Sequence, residues 1–275
     1  MSDPVRSETS HWRDVAWRGE LLARIYQPGA ASPPPDPGGK RAVVVDVHGG
    51  AWSSRDRTLG ERYNEAVAAA GLTVVAIDFR DGRVARHPAA VQDVAAAVQW
   101  VRDHADDLGV DPARVALTGS SSGGHLALLA ALTDTDVCFV GAFWPPVDPL
   151  ARYRYARSRL GQPVPEGQAF DAANLVAATE AYFGDEQTMG EASIVAVLAE
   201  GRPRSLPPVW LVQAGADLNV PPSMIEELVT SYRQRGGQLE LSMYPDQVHG
   251  FGHARHDTAR RFQADLVQRL LAVVG

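Results

Sequence analysis

Cysteine is almost missing from this 275-residue chain: Cys138 stands alone, in the apolar run Val137-Cys138-Phe139-Val140. One thiol excludes an internal disulfide and a cysteine-rich zinc site, and in an apolar run it reads as a core side chain. Long apolar runs are missing too. None approaches the ~20 residues that span a bilayer, and the polar start of the chain, up to Ser10-His11-Trp12, holds no apolar stretch of signal-peptide length. Basic residues are the minority, 26 against 33 acidic, for a net charge of −7. That balance argues against general nucleic-acid binding, which needs a basic field. Internal repeats are absent. A soluble, cytoplasmic protein with neither a membrane nor a nucleic-acid partner is expected; the sequence leaves the oligomeric state open, a homodimer included.

What is present is ordinary globular composition, with 45% apolar and 21% charged residues, enough for a sizeable core. Residues 12–17 and 20–26 read as two short strands joined at Gly19, with Leu22, Arg24 and Tyr26 alternating against Leu21, Ala23 and Ile25. Residues 27–40 carry Pro28, Pro33, Pro34, Pro35 and Pro37, which exclude helix and central strand and leave a surface loop. Downstream, near-continuous apolar runs at residues 42–47, 72–77, 115–117, 137–143 and 209–212 predict strands buried on both faces of a parallel sheet. A last strand is expected at residues 239–244. Helical patterns lie between them. Val91, Val94, Val98 and Val101 form one face, residues 63–70 end at Gly71, Pro221 and Pro222 open another helix, and Phe262, Leu266, Leu270 and Val273 line the last. Strands alternating with helices mean right-handed crossovers and one open α/β sheet. Roughly 60 residues separate the strands at 137–143 and 209–212, whereas a simple crossover needs only ~10–12. The surplus, with helical stretches near residues 172–182 and 192–199, reads as an insertion over one end of the sheet.

The chemistry concentrates at strand ends. Gly119-Ser120-Ser121-Ser122-Gly123 follows the strand at 115–117 and opens the helical run Gly124-His125-Leu126-Ala127. Small residues on both sides of Ser121 allow the sharp strand-to-helix turn that points a serine out of a sheet. The helix N-terminus adds unpaired N–H groups beside it. His48-Gly49-Gly50-Ala51-Trp52 follows the strand at 42–47. Backbone N–H groups of Gly49, Gly50 and Ala51, two of the three, together with that of Ser122, are expected to form an oxyanion hole. His48 is expected to prop this loop rather than titrate in catalysis. Trp52 either walls a substrate pocket or covers the sheet end; it is carried forward as the candidate substrate-binding residue.

A serine nucleophile needs a base. Among eight histidines, His249 follows the final strand, while His253 and His256 fall at or beyond the start of the last helix and are competitors. The spacing of His249 and His253 also fits a metal pair, but no H-E-x-x-H pattern accompanies it, so no metal is expected. The orienting carboxylate should come from a separate loop, which favours Asp217, just after residues 209–212, over Asp246 in the histidine's own loop. The chain order is then Ser121, Asp217, His249.

This order resembles the α/β-hydrolase superfamily, in its esterase/lipase branch with an HGG-type oxyanion loop. The residues carrying the resemblance are His48-Gly49-Gly50-Ala51-Trp52, Asp78-Phe79-Arg80, Gly119 to His125, Gly215 to Asp217, and His249-Gly250-Phe251. It runs from about Arg41 to the C-terminus. It implies a mostly parallel eight-stranded sheet flanked by helices, in one domain spanning residues 1–275, with a cap insertion at about residues 145–205 after the sixth strand. It implies neither metal nor organic cofactor. The H-G-G-x-W box is similar to that of small esterases resembling kynurenine formamidase and feruloyl/acetyl esterases. Ala51 and the short N-terminus set the chain apart from the hormone-sensitive-lipase branch. The expected activity is hydrolysis of small carboxylic esters through a serine acyl-enzyme. Amidase, formamidase or peptidase chemistry with the same triad is the alternative, and a non-catalytic small-molecule binder on this fold is the remaining one. Arg152, Arg154, Arg157 and Arg159 interleave with Tyr153 and Tyr155; they either recognise a substrate carboxylate or form a solvated helix face.

Overall fold

The computed structural model describes residues 10–35 and 38–274. Strands β1 (Ser10–Arg18) and β2 (Leu21–Pro28) form an antiparallel hairpin that turns at Gly19, whose positive φ of 57° suits a residue without a Cβ. β2 also lies antiparallel to β4 (Thr73–Ile77). From there every pairing is parallel, through β3 (Arg41–Val47), β5 (Val110–Ser120), β6 (Phe139–Phe143), β7 (Val209–Ala214) and β8 (Leu239–Tyr244). The eight strands follow the spatial order β1-β2-β4-β3-β5-β6-β7-β8.

The apolar runs are continuous because both faces are covered. Val43, Val45 and Val47 of β3 enter one core cluster with α2 (Ala89–Asp103) and α4 (Ser122–Thr133). Val44 points the other way, into a second cluster with Tyr63 and Val67 of α1 (Glu61–Ala69) and with Phe262, Leu266 and Leu270 of α10 (Asp257–Val274). Val273, expected on that buried stripe, is instead 42% exposed, at the rim of an open surface cleft that Phe139, Trp210 and Leu239 of the sheet also line. A one-turn α3 (Ala105–Leu108) ends at Gly109, and β5 starts directly after it, five residues earlier than its apolar run suggested. The helix expected at Pro221-Pro222 begins as a 3-10 turn and becomes α9 (Glu226–Gln234).

The long interval between β6 and β7 holds α5 (Pro149–Ser158), α6 (Ala172–Phe183), α7 (Glu186–Glu191) and α8 (Ile194–Ala199). Each begins at a side-chain cap: Asp148, Asp171, Asp185 and Ser193 each accept a hydrogen bond from the backbone N–H three residues on. The last of these caps splits the single stretch expected at 192–199 from the helix before it.

Asp78-Phe79-Arg80, just past β4, ties the sheet to its surroundings. Arg80 donates through Nε and Nη2 to Asp93 of α2, whose carboxylate is fully buried and also pairs with Arg18 of β1. Asp93 is the buried partner, and it also accepts the Arg80 backbone N–H (2.8 Å), while Arg80 and Arg18 keep part of their side chains in solvent. Asp93→Ala should therefore lower the unfolding free energy by about 2 kcal/mol through lost charge-assisted hydrogen bonds, which urea denaturation of the two proteins at neutral pH would measure.

Candidate active site

Ser121 sits where β5 stops and α4 begins, with φ 52° and ψ −125°, a conformation L-residues seldom adopt. The turn closes because Gly119 and Gly123 pack backbone to backbone: a Cβ on Gly119 would strike the Gly123 carbonyl, and one on Gly123 would strike the carbonyls of Val47 and His48. The Ser121 N–H donates to the Phe143 carbonyl across on β6 (2.8 Å). Ser120 and Ser122 are fully buried, whereas Ser121 is partly exposed and lines a cavity.

His249 and Asp217 arrive from two neighbouring loops. After β7 the chain turns at Gly215, where a Cβ would strike Pro245 of the loop after β8. The Gly215 N–H donates to the Tyr244 carbonyl (2.8 Å) and the Ala216 N–H to the Gln247 carbonyl (2.9 Å), so the two loops are laced together. Asp217 Oδ1 accepts from the N–H groups of Asn219 (2.8 Å) and Val220 (2.9 Å), which fixes its carboxylate. Its other oxygen, Oδ2, lies 2.7 Å from His249 Nδ1, and His249 Nε2 lies 2.9 Å from Ser121 Oγ. A carboxylate can only accept, so Nδ1 carries the proton and Nε2 is free to accept from the serine hydroxyl. The competitors lie elsewhere. Asp246 is exposed, and His256 Nδ1 accepts the Ala259 N–H at the start of α10. His253 borders the cavity but is half-buried, packed against Tyr63 and Trp144.

The cavity, about 240 Å³, runs over Ser121 and His249 and is bordered by Gly49, Gly50, Ala51 and Arg152. Gly49 lies so close to the serine that an added Cβ would be 2.8 Å from the Ser120 carbonyl and 3.2 Å from Ser121 Cβ. Gly50, Ala51 and Trp52 all have positive φ (125°, 51° and 60°), so the chain coils tightly here. Ser122 is the first residue of α4, where an N–H has no intrahelical acceptor. His48 is buried, stacks on Phe79 with ring centroids 4.3 Å apart, and donates from Nδ1 to the Gly49 carbonyl (2.7 Å). Burial pushes its pKa down, and the neutral ring braces the loop.

Trp52 is not on the cavity wall. It is fully buried, stacked on Tyr182 and edge-on to Phe183, with its indole N–H donating to His125 Nδ1 (3.2 Å). A ring that large gains more by filling the core under the insertion than by facing a small cleft. His125 completes this contact by donating from Nε2 to the Ala192 carbonyl (2.8 Å), which fastens the insertion to α4. α4 is buried on all sides from Ser122 to Leu132, which its nearly unbroken apolar run after His125 could have signalled, but the partners of His125 are seen only in the structure. The arginine cluster also divides. Arg154 and Arg157 pair with Glu186 at the surface, whereas Arg152 is 1% exposed and borders the cavity. Among the described residues, no cluster of histidine, cysteine and carboxylate side chains could hold a metal ion, and no helix is long and apolar enough to cross a membrane.

Residues 32–143 match the BD-FAE family. Over 249 residues the chain is 30% identical to the carboxylesterase NlhH of Mycobacterium tuberculosis (strain ATCC 25618 / H37Rv), covering 87% of this chain and 74% of that protein. The chain belongs to the esterase/lipase branch of the α/β-hydrolases, a family of carboxylic ester hydrolases. A second relative from the same strain, the probable carboxylic ester hydrolase LipM, is 37% identical over 145 residues, covering 48% of this chain and 32% of LipM. The α/β-hydrolase fold is shared with the hyperthermophilic esterase of the archaeon Pyrobaculum calidifontis, at a TM-score of 0.75 and 24% identity over 96% of this chain and 86% of that one.

Histidines whose pKa burial lowers weaken this α/β-hydrolase in acid: His48 and His87 in direction, His125 and His253 most. Burial lowers the pKa of His125 and of His253 to about 4, against about 6.5 in an unfolded chain. Both folded values are depressed, so their stabilisation is complete above pH 6.5 and is lost as pH falls towards 4. Asp46, raised by burial to about 6, works oppositely: its stabilisation is complete below about pH 4 and fades as pH rises to 6. The two histidines outweigh the one carboxyl. Wild-type stability should fall between pH 7 and pH 4, and His125→Gln should remove about 3 kcal/mol of that fall, although it costs stability at pH 7. Urea titrations of both proteins across this range would check it; equal slopes would contradict it.

Proposed function

We propose that this α/β-hydrolase cleaves carboxylic esters of small molecules by two-step acyl transfer through Ser121. The chain of two hydrogen bonds, 2.9 Å from Ser121 Oγ to His249 Nε2 and 2.7 Å from His249 Nδ1 to Asp217 Oδ2, carries the reading. His249 takes the hydroxyl proton as Oγ attacks the ester carbonyl, and Asp217 stabilises the imidazolium that forms. The carbonyl oxygen becomes an oxyanion beside the N–H of Ser122 and two of those of Gly49, Gly50 and Ala51, each such donor contributing about 3–4 kcal/mol to the transition state. His249 then returns the proton to the departing alcohol. Water, deprotonated by the same ring, attacks the acyl-enzyme and releases the acid.

Residues 145–205 serve as the cap over this site in the proposal. Two contacts support that role: Gln168 Nε2 donates to the Ala216 carbonyl (2.9 Å) and Asn219 Nδ2 to the Ala169 carbonyl (3.2 Å), holding the insertion on the loop that carries Asp217. Formamidase or amidase turnover would use the same residues, and rates on p-nitrophenyl esters and N-formyl aryl amides side by side would rank them.

Ser121→Ala should lower kcat for p-nitrophenyl acetate by roughly 10⁴–10⁶ while leaving the thermal transition in place. A fluorophosphonate should label the wild type once, at Ser121, and the variant not at all. Ordinary turnover by a folded Ser121→Ala protein would end the proposal.

A further inference from the structure

Arg152 is the cation whose surroundings the proposed chemistry does not explain. It sits on α5 and is 1% exposed, yet it borders the same cavity as Ser121 and His249. Its polar contacts are weak for a guanidinium: Nε donates to the Asn219 carbonyl at 3.4 Å and Nη1 to Thr179 Oγ1 at 3.3 Å, both neutral acceptors. Its carbon Cζ stands 5.5 Å from the Trp52 ring centroid, on the ring face. Among the described residues it makes no ion pair. Asp217 is near enough to act through space, but its two oxygens are committed to His249, Asn219 and Val220.

A buried guanidinium without a carboxylate is costly, and an anion entering the cavity offsets that cost. The lining fits such an anion. Two arginines border the cavity, Arg152 in its wall and the exposed Arg55, and no carboxylate does. This positive lining belongs to a chain of net charge −7, so it is a local arrangement rather than a reflection of composition. The guanidinium stays charged at neutral pH, since burial lowers its pKa only to about 10.

We propose that Arg152 is a specificity-determining residue that binds a carboxylate on the substrate, and that the preferred esters are small ones bearing a free carboxylate. The inference rests on the ester-hydrolase reading for its chemistry but not for its recognition. A fixed fork of N–H donors with an unused edge matches a carboxylate better than a neutral acyl chain does.

Two matched pairs of esters test it: 4-nitrophenyl hemiglutarate against 4-nitrophenyl pentanoate, and 3-acetoxybenzoate against its methyl ester. The wild type should favour the charged member of at least one pair by about tenfold or more in kcat/KM, mainly through KM. Arg152→Gln should cost the charged member about 10–100-fold more than the neutral one, with Arg152→Lys in between. A wild-type preference for the neutral member of both pairs would overturn the proposal. So would an equal loss on both members in Arg152→Gln, which would reduce Arg152 to holding the Asn219 turn. If Arg152→Gln fails to fold by circular dichroism, calorimetric binding to Ser121→Ala decides: tighter binding of the charged ester supports the assignment and equal binding refutes it. Charge-selective binding to Ser121→Ala with no wild-type turnover of any ester would sink the ester-hydrolase reading and leave the carboxylate site standing. Turnover without charge preference would do the reverse.

Discussion

The site depends on one close approach of backbone to backbone. The start of α4 leans on the end of β3 so tightly that Gly123 has no room for a Cβ beside the Val47 and His48 carbonyls, and Gly49 has none beside Ser120. That contact brings the serine turn and the Gly49 loop, which leave different strands, to a common point. It accounts for the left-handed conformation of Ser121 and the run of positive φ angles through Gly50, Ala51 and Trp52. Strain of this kind persists only where the surroundings over-determine it. Here the surroundings are two parallel strands, β3 and β5, in register from Val43 with Val115 to Val47 with Gly119.

The braces around the Gly49 loop come from Asp78-Phe79-Arg80. Asp78 accepts from the Arg57 N–H (2.8 Å) and from Arg57 Nη1 (2.9 Å), and Arg57 bridges on to Asp14 of β1. Phe79 stacks on His48, and Arg80 binds Asp93. Three consecutive residues thus fasten the loop's far end, its histidine and the neighbouring helix. Below the loop, Asp46 accepts from Asn64 of α1 (2.8 Å) and from Thr118 of β5 (2.9 Å), joining β3 to both. The loop is thus braced from the sheet and from the helices packed on it.

Much of this was legible in the sequence, for identifiable reasons. Strand positions and their parallel type followed from uninterrupted apolar runs, since β3 and β4 are buried on both faces. Ser121 was marked by its glycines, and Asp217 and His249 by their places after β7 and β8. Trp52 was not resolvable, because a tryptophan beside a glycine loop has the same sequence signature whether it faces the cleft or the core. Only the ring contacts with Tyr182, Phe183 and His125 decide the matter. The arginines of α5 were undecidable for a related reason: a helix with buried and solvated sides distributes identical side chains to opposite fates. Arg152 turned inward and Arg154 outward, as two positions apart on a helix put them on nearly opposite sides, but which side faces in is seen only in the structure.

The stitching of residues 168 and 169 to the loop bearing Asp217 has a mechanical corollary. The roof and the carboxylate share fasteners, and the same loop is sewn to the one carrying His249. Swinging residues 168 and 169 aside like a door would drag Asp217 and His249 with them. Traffic in and out is better served past Arg55, whose exposed side chain borders the cavity, whereas its neighbour Ser54 is tied to Gly50 through Oγ (2.8 Å).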